Sequence, residues 1–255
     1  MRLLLVNDDG IYSPGLAALA SVGARFGDVC VVAPDVEQSS MGHAITHSRP
    51  LSIKRTPVAG REGYRVNGTP ADCVALGLEL FPDVEVVLSG INLGPNLGNS
   101  VWHSGTLAAA KQAALLGRRG IALSTPTGSS EPNFDALAPW ITRVLELLLS
   151  QREPRLVNVN FPPDPVDLRW TRQAVTQYDG RVVPGQDPMG RKHYWITVKR
   201  IEAVEEGTDR WAMRNGFVAM TPLRLDLTDD AVLTSMLETA PVGDSSSQAV
   251  ERARF

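Results

Sequence analysis

Leu3-Leu4-Leu5-Val6 is an unbroken apolar run that stops at Asn7-Asp8-Asp9-Gly10. Consecutive apolar residues without polar alternation predict a strand buried on both faces, as in the middle of a parallel sheet. Ser13-Pro14-Gly15 then opens a helix, with Ser13 placed to cap it and Pro14 suited to its first turn. Apolar residues continue through Phe26 until Gly27 ends the helix, and residues 29–33 make a second buried strand closed by Pro34. Comparable runs at 84–88, 121–123 and 156–159 predict further central strands, with a shorter one at 64–66. Between them, Thr69-Pro70-Ala71-Asp72 starts a helix that ends before Pro82; residues 106–116 form a helix of small and apolar residues, and 135–149 a longer amphipathic one.

This alternation of strand and helix predicts an α/β fold, a doubly wound and mostly parallel sheet of Rossmann-like type, over residues 1–164. Such sheets collect ligands where the carboxyl ends of their strands meet the loops. Residues 35–63 are rich in turn formers, with a short strand at 51–53, and read as an excursion from the main sheet. After Pro162 the pattern changes to short β-like pieces at 170–172, 194–198 and 217–220. Residues 165–240 are therefore expected to form a β-rich extension that serves as an oligomerisation arm, making a homodimer or homotetramer. Residues 241–255 are poor in apolar groups and read as a fraying tail.

Composition narrows the function. A chain of 255 residues can bury about three quarters of its unfolded surface, enough for one core without staples. The net charge is −3 and the 25 basic residues are scattered, which argues against a nucleic-acid polymer as partner and leaves a phosphorylated small molecule open. Cys30 and Cys73 stand far apart in apolar runs and read as buried free thiols. No apolar stretch approaches the roughly 20 residues that a membrane span needs, so a cytoplasmic protein without membrane contact is expected.

Four segments at predicted strand ends carry the chemistry. Asp8 and Asp9 follow the first strand directly, and Gly10 lets the chain turn so that both can face one crevice. Two carboxylates within about 4 Å repel by roughly 4 kcal/mol at an effective dielectric near 20, which a cation or a shared proton relieves. An isolated Asp-Asp-Gly is more often a solvated turn; its place after strand one is what raises the functional reading. The second segment, residues 33–43, brings the hydroxyls of Ser39 and Ser40 to a carboxyl end. The third, residues 89–98, packs four Gly or Pro with Asn92 and Asn96, implying a fixed backbone path; an Asn carbonyl suits a hard metal and its amide suits phosphate. The fourth, Ser104-Gly105-Thr106, opens the small-residue helix, whose N-terminal N–H groups and hydroxyls can seat a phosphate, although N-capping explains the hydroxyls equally well.

Taken together these segments resemble the SurE family of survival-protein nucleotidases. The resemblance rests on Asn7-Asp8-Asp9-Gly10 with Pro14-Gly15, Ala33-Pro34-Asp35 with Ser39, Gly68-Thr69-Pro70-Ala71-Asp72-Cys73, Ser89-Gly90-Ile91-Asn92 with Gly94-Pro95-Asn96, and His103-Ser104-Gly105-Thr106. Asn158-Val159-Asn160-Phe161-Pro162 and Thr221-Pro222-Leu223 extend it toward the C-terminus. It implies metal ligands at Asp8, Asp9, Ser39 and Asn92, and phosphate contacts at Asn96, Ser104, Gly105 and Thr106. It also implies hydrolysis of nucleoside 5′- and 3′-monophosphates, and of short polyphosphate in some members.

The expected chemistry is phosphomonoester hydrolysis assisted by one divalent cation per subunit, with Asp8 and Asp9 as catalytic residues. All-oxygen ligation favours Mg²⁺ or Mn²⁺ over zinc. His43 and His47 are four apart in a loop and make an improbable zinc pair, while His103 adjoins the phosphate seat. A Rossmann dinucleotide enzyme is a weak rival, since Asp-Asp-Gly stands where a G-x-G-x-x-G turn is required. The alternative of another class is a metal-binding signalling module whose acidic pocket accepts a phosphoryl group without turnover.

Overall fold

The computed structural model describes residues 1–128, 131–175, 180–198 and 204–239. Its centre is a nine-stranded sheet. In chain order the elements are β1 (Arg2–Val6), α1 (Pro14–Gly23), β2 (Asp28–Pro34), β3 (Ile53–Arg55), β4 (Glu62–Val66), α2 (Pro70–Leu80), β5 (Val86–Leu93), a 3₁₀ turn (Gly98–Trp102), α3 (Gly105–Leu115), β6 (Arg119–Thr125), α4 (Phe134–Leu149), β7 (Leu156–Asn160), β8 (Asp167–Trp170), β9 (Gly180–Gln186), β10 (Lys192–Val198), α5 (Asp209–Arg214), β11 (Phe217–Pro222) and α6 (Asp230–Thr239). The strand order is β3-β4-β2-β1-β5-β6-β7-β11-β8, parallel from β4 to β7. The doubly wound α/β expectation is met.

The period-two geometry of β1 divides the core. Leu3 and Leu5 point to the layer containing α1 and α4, whereas Leu4 and Val6 point to that containing α2 and α3. β1 pairs with β2 on one side and β5 on the other, so the winding reverses there and opens a crevice above the carboxyl ends of these strands. Continuing the alternation past Val6 sends Asp8 toward α3.

Two expectations shift in detail. β5 does not stop at residue 88 but runs to Leu93, with a register break against β6 between Ser89 and Asn92. Gly90 has φ +138, and a Cβ there would lie 2.2 Å from the Leu123 carbonyl, so a residue that reads as a breaker is instead what lets the strand continue against β6. The segment after 164 also contributes to the main sheet: β11 pairs antiparallel with β7, and β8 parallel with β11. Of the described strands in that segment, β9 and β10 stand apart as a two-stranded antiparallel hairpin.

Met1–Leu223 forms one compact unit, and the described residues 224–239 belong to a second. In the second, α6 is exposed along its whole length, and Arg224 pairs with Asp230 at 3.7 Å. The tail expected at 241–255 lies outside the described residues. Among the described residues no helix is long and apolar enough to cross a membrane.

Candidate active site

The loop after β1 is shaped from within. The Asn7 amide donates to the Gly10 carbonyl at 2.9 Å, and Gly10 takes φ +95, which turns the chain immediately after the acidic pair. Gln38 N–H donates to the Asp8 carbonyl at 2.7 Å and Ile11 N–H to the Pro34 carbonyl at 2.8 Å, tying this loop to the one that follows β2. Both carboxyl ends are thereby fixed to each other before any side chain is considered.

Asp8 is only 4% exposed. Its Oδ1 accepts the Thr106 hydroxyl at 2.7 Å, while Asp9 Oδ2 accepts Leu93 N–H at 3.2 Å. Burial pushes the Asp8 carboxyl above its ordinary range, opposed by the Thr106 bonds. Burial, then the charge of Asp8, pushes Asp9 up to about 6, opposed by Leu93 N–H. Among the described residues neither carboxylate has an ion-pair partner. The site therefore carries uncompensated negative charge in a partly desolvated place, the condition that a bound cation relieves.

Asp8, Ser39, Ser40, Asn92, Asn96 and Ser104 line a single cleft of about 830 Å³, together with Leu93, Pro95, Leu97 and His103. Its other wall comes from the C-terminal half, through Ile196 and Thr197 of β10 and Arg210 of α5. Asn92 Nδ2 is tied to the Gly94 carbonyl at 2.6 Å, which leaves Oδ1 as its uncommitted end, an oxygen suited to a metal. Ser39 Oγ donates to Glu37 at 2.5 Å. Two carboxylates, a hydroxyl and an amide oxygen make a hard donor set that fits Mg²⁺ or Mn²⁺. Among the described residues no three His, Cys, Asp or Glu side chains converge as a metal site, so the neutral oxygens are needed to complete a shell.

The expected phosphate group divides in two. Ser104 caps α3, its Oγ accepting Leu107 N–H at 3.0 Å. Gly105 and Thr106 are buried behind Asp8: a Cβ on Gly105 would lie 2.8 Å from Asp8 Cβ, so glycine is what lets the α3 N-terminus approach the carboxylate this closely. The Asn96 amide nitrogen donates to Thr106 Oγ1 at 3.3 Å and Ser124 Oγ at 2.9 Å, so both of its hydrogens are engaged inside the protein. Asn96 and Thr106 thus brace Asp8, and of the expected phosphate group Asn96 and Ser104 line the cleft while Gly105 and Thr106 lie behind it. His43 bonds Gln112 of α3 at 2.8 Å.

Four residues outside the expected set support the site. Asn158 and Asn160 of β7, both fully buried, donate to the Asn96 carbonyl at 2.8 and 3.0 Å, and Asn160 Oδ1 accepts Asn96 N–H at 2.8 Å. Two amides at alternate positions of an apolar strand lie on one face and are costly to bury unpaired, which is a signal present in the sequence. Ser124 and Asp209 carry no comparable local signal.

A model of the family described as "Survival protein SurE" matches residues 3–180. The chain is 46% identical over 242 residues to the 5′-nucleotidase SurE 1 of Thermus thermophilus, covering 92% of this chain and 96% of that protein. It is 42% identical over 249 residues to the 5′-nucleotidase SurE of Deinococcus radiodurans, covering 94% and 93%. The crystal structure of the SurE protein from Aquifex aeolicus is similar with a TM-score of 0.81 at 38% identity, over 94% of this chain and 99% of that one.

Proposed function

We infer what this cleft does from the family to which the chain belongs, the survival protein SurE family, and from the oxygens that line it. The enzyme is a 5′-nucleotidase, hydrolysing nucleoside monophosphates to nucleoside and phosphate. The observation that carries the mechanism is the adjacent pair at the end of β1, Asp8 buried against the α3 N-terminus and Asp9 partly buried beside it, neither with an ion-pair partner among the described residues. Asp8, Asp9, Asn92 and Ser39 hold one Mg²⁺ or Mn²⁺. When bound, such a cation polarises the phosphoryl oxygens and offsets the charge that builds on them.

The chain's own groups do the rest. Thr106, braced by Asn96, keeps Asp8 in one orientation, and the α3 N-terminus at Ser104 and Gly105 offers N–H groups and its positive end to the phosphate. Leu93, Pro95, Leu97 and Ile196 give the cleft an apolar side for the nucleoside. Asp9, the more exposed of the pair, orients the attacking water. The nucleoside oxygen leaves and takes up a proton.

Phosphate release over a panel of 5′- and 3′-monophosphates and short polyphosphate, in chelator and with each metal restored, tests this. We expect many turnovers per chain with Mg²⁺ or Mn²⁺ and none in chelator. Full activity in excess chelator excludes the metal role, and a single phosphoryl transfer without turnover favours the signalling module.

We propose in addition that the β9–β10 hairpin packs on a second copy of the chain. An isolated two-stranded hairpin is marginal in water, and this one exposes Val182, Tyr194 and Trp195. Light scattering at micromolar concentration is expected to give a dimer or tetramer, reduced to monomer when these three positions are made polar.

A further inference from the structure

Asp209, the first residue of α5, is fully buried and has no part in the chemistry above. Three N–H groups converge on its carboxylate. Gly98 N–H donates to Oδ2 at 2.8 Å, Ala174 N–H to Oδ1 at 3.1 Å, and Arg210 N–H to Oδ1 at 2.7 Å. A carboxylate has two acceptor oxygens and no donor, so it satisfies all three; an amide would turn an N–H toward at least one of them. The buried acid is the group this arrangement of donors requires.

Gly98 opens the 3₁₀ turn of the cleft loop, at φ +56. A Cβ there would lie 2.4 Å from the Ala174 carbonyl and 2.8 Å from Arg210 Nε, so the loop backbone lies directly on the α5 segment. Gln173 strengthens the seam by donating to the Gly98 carbonyl at 2.8 Å. Two residues earlier, the Asn96 peptide is held from the opposite side by Asn158 and Asn160. The loop is pinned at Asn96 from inside the sheet and at Gly98 from α5, and Asn96 in turn braces Thr106 against Asp8.

We propose that Asp209 is a positioning residue for phosphoester hydrolysis, fixing the Asn96-to-Gly98 loop from outside the α/β core so that Thr106 and Asp8 keep their geometry. This rests on the nucleotidase reading of the cleft. It gives the segment beyond residue 164 a second task besides assembly, since α5 holds one end of the loop that braces Asp8. Energy spread through a packed chain of contacts is established by coupling between substitutions, not by proximity, and the test is built on that.

Phosphate release from adenosine 5′-monophosphate is measured at saturating Mn²⁺ for the wild type, Asp209→Asn, Asn96→Ala and the double variant, well below each melting temperature. Asp209→Asn is expected to stay folded by circular dichroism and to lose about tenfold in kcat, the loss of one charge-assisted bond, with KM changed less than about threefold. The double variant is expected to lose clearly less than the product of the two single losses. A folded Asp209→Asn within twofold of wild-type kcat, or a multiplicative double variant, overturns the proposal. Should Asp209→Asn not fold, Gln173→Ala, only partly buried, carries the same test. A loss in kcat of about threefold that is less than multiplicative with Asn96→Ala supports the proposal, and an unchanged kcat overturns it. A wild type that releases no phosphate overturns the nucleotidase reading and this inference with it, whereas an active wild type with an indifferent Asp209→Asn overturns only the latter.

Discussion

The Thr106 hydroxyl donates to Asp8 Oδ1 at 2.7 Å, joining the first turn of α3 to the end of β1 inside the core. Thr106→Val keeps the shape and removes the donor, leaving a buried carboxylate oxygen and the Asn96 amide short of a partner. A lost bond to a charged group is worth roughly 1.5–3 kcal/mol. Steady-state kinetics are expected to show kcat/KM reduced about ten- to a hundredfold, with Thr106→Ser retaining most activity. Wild-type kcat/KM in Thr106→Val would show that Asp8 needs no such brace.

Ionisation of Asp9 works against the folded state. Its folded pKa is raised from 3.8 to about 6 by burial and the charge of Asp8. The metal-free protein therefore has its full stability from this group below about pH 4, where both states are protonated, and loses it as pH rises through about 6. Asp9→Asn is expected to unfold in urea with about 1 kcal/mol more stability than wild type at pH 7.5 in chelator, a figure discounted for the solvent reaching this side chain. The gain vanishes at pH 4, and most of the turnover goes with the charge. A less stable Asp9→Asn at pH 7.5 would show that the carboxylate is not strained there.

Asn92, near the end of β5, and Asn96, in the loop that follows it, commit their amides differently. Asn92 leaves its oxygen uncommitted, so Asn92→Ala is expected to raise the metal concentration for half activity about tenfold, with saturating metal restoring part of the rate. Asn96 spends its amide on Thr106 and Ser124. Asn96→Ala is expected to lower kcat/KM even at saturating metal while leaving the metal requirement nearly unchanged. Identical metal titrations for the two variants would refute this division.

Asp72 anchors the loop that carries Ser39. It forms a capping box with Thr69 and accepts Thr46 N–H at 2.9 Å and the Thr46 hydroxyl at 2.6 Å. Burial pushes its carboxyl up, but the bonds from Thr46 and Thr69 outweigh this and hold it below 3.8. Its contribution is thus complete above about pH 4 and is lost as pH falls through the lowered folded value. Asp72→Ala is expected to cost about 1–2 kcal/mol in urea at pH 7, with the difference from wild type shrinking at pH 3. An equal difference at both pH values would place the effect in packing and not in the charge.

Local pattern alone determined the strands of the core, the helices between them and the placing of Asp8, Asp9 and Ser104 at their ends, because burial on one or two faces and capping chemistry are written within a few residues. Pairing across the sheet was decided by the tertiary structure. β5 passes through Gly90 because β6 supplies its ladder, and β8 and β11 join the sheet because β7 leaves an edge that an antiparallel strand can cover. The same holds for the bracing of the site. Asn158, Asn160, Ser124 and Asp209 lie 28 to 111 residues from the loop residues they hold, and no local period relates positions so far apart. Which oxygens are left free for a ligand follows from which hydrogens the interior has already claimed, and that depends on contacts that exist only once the chain is folded.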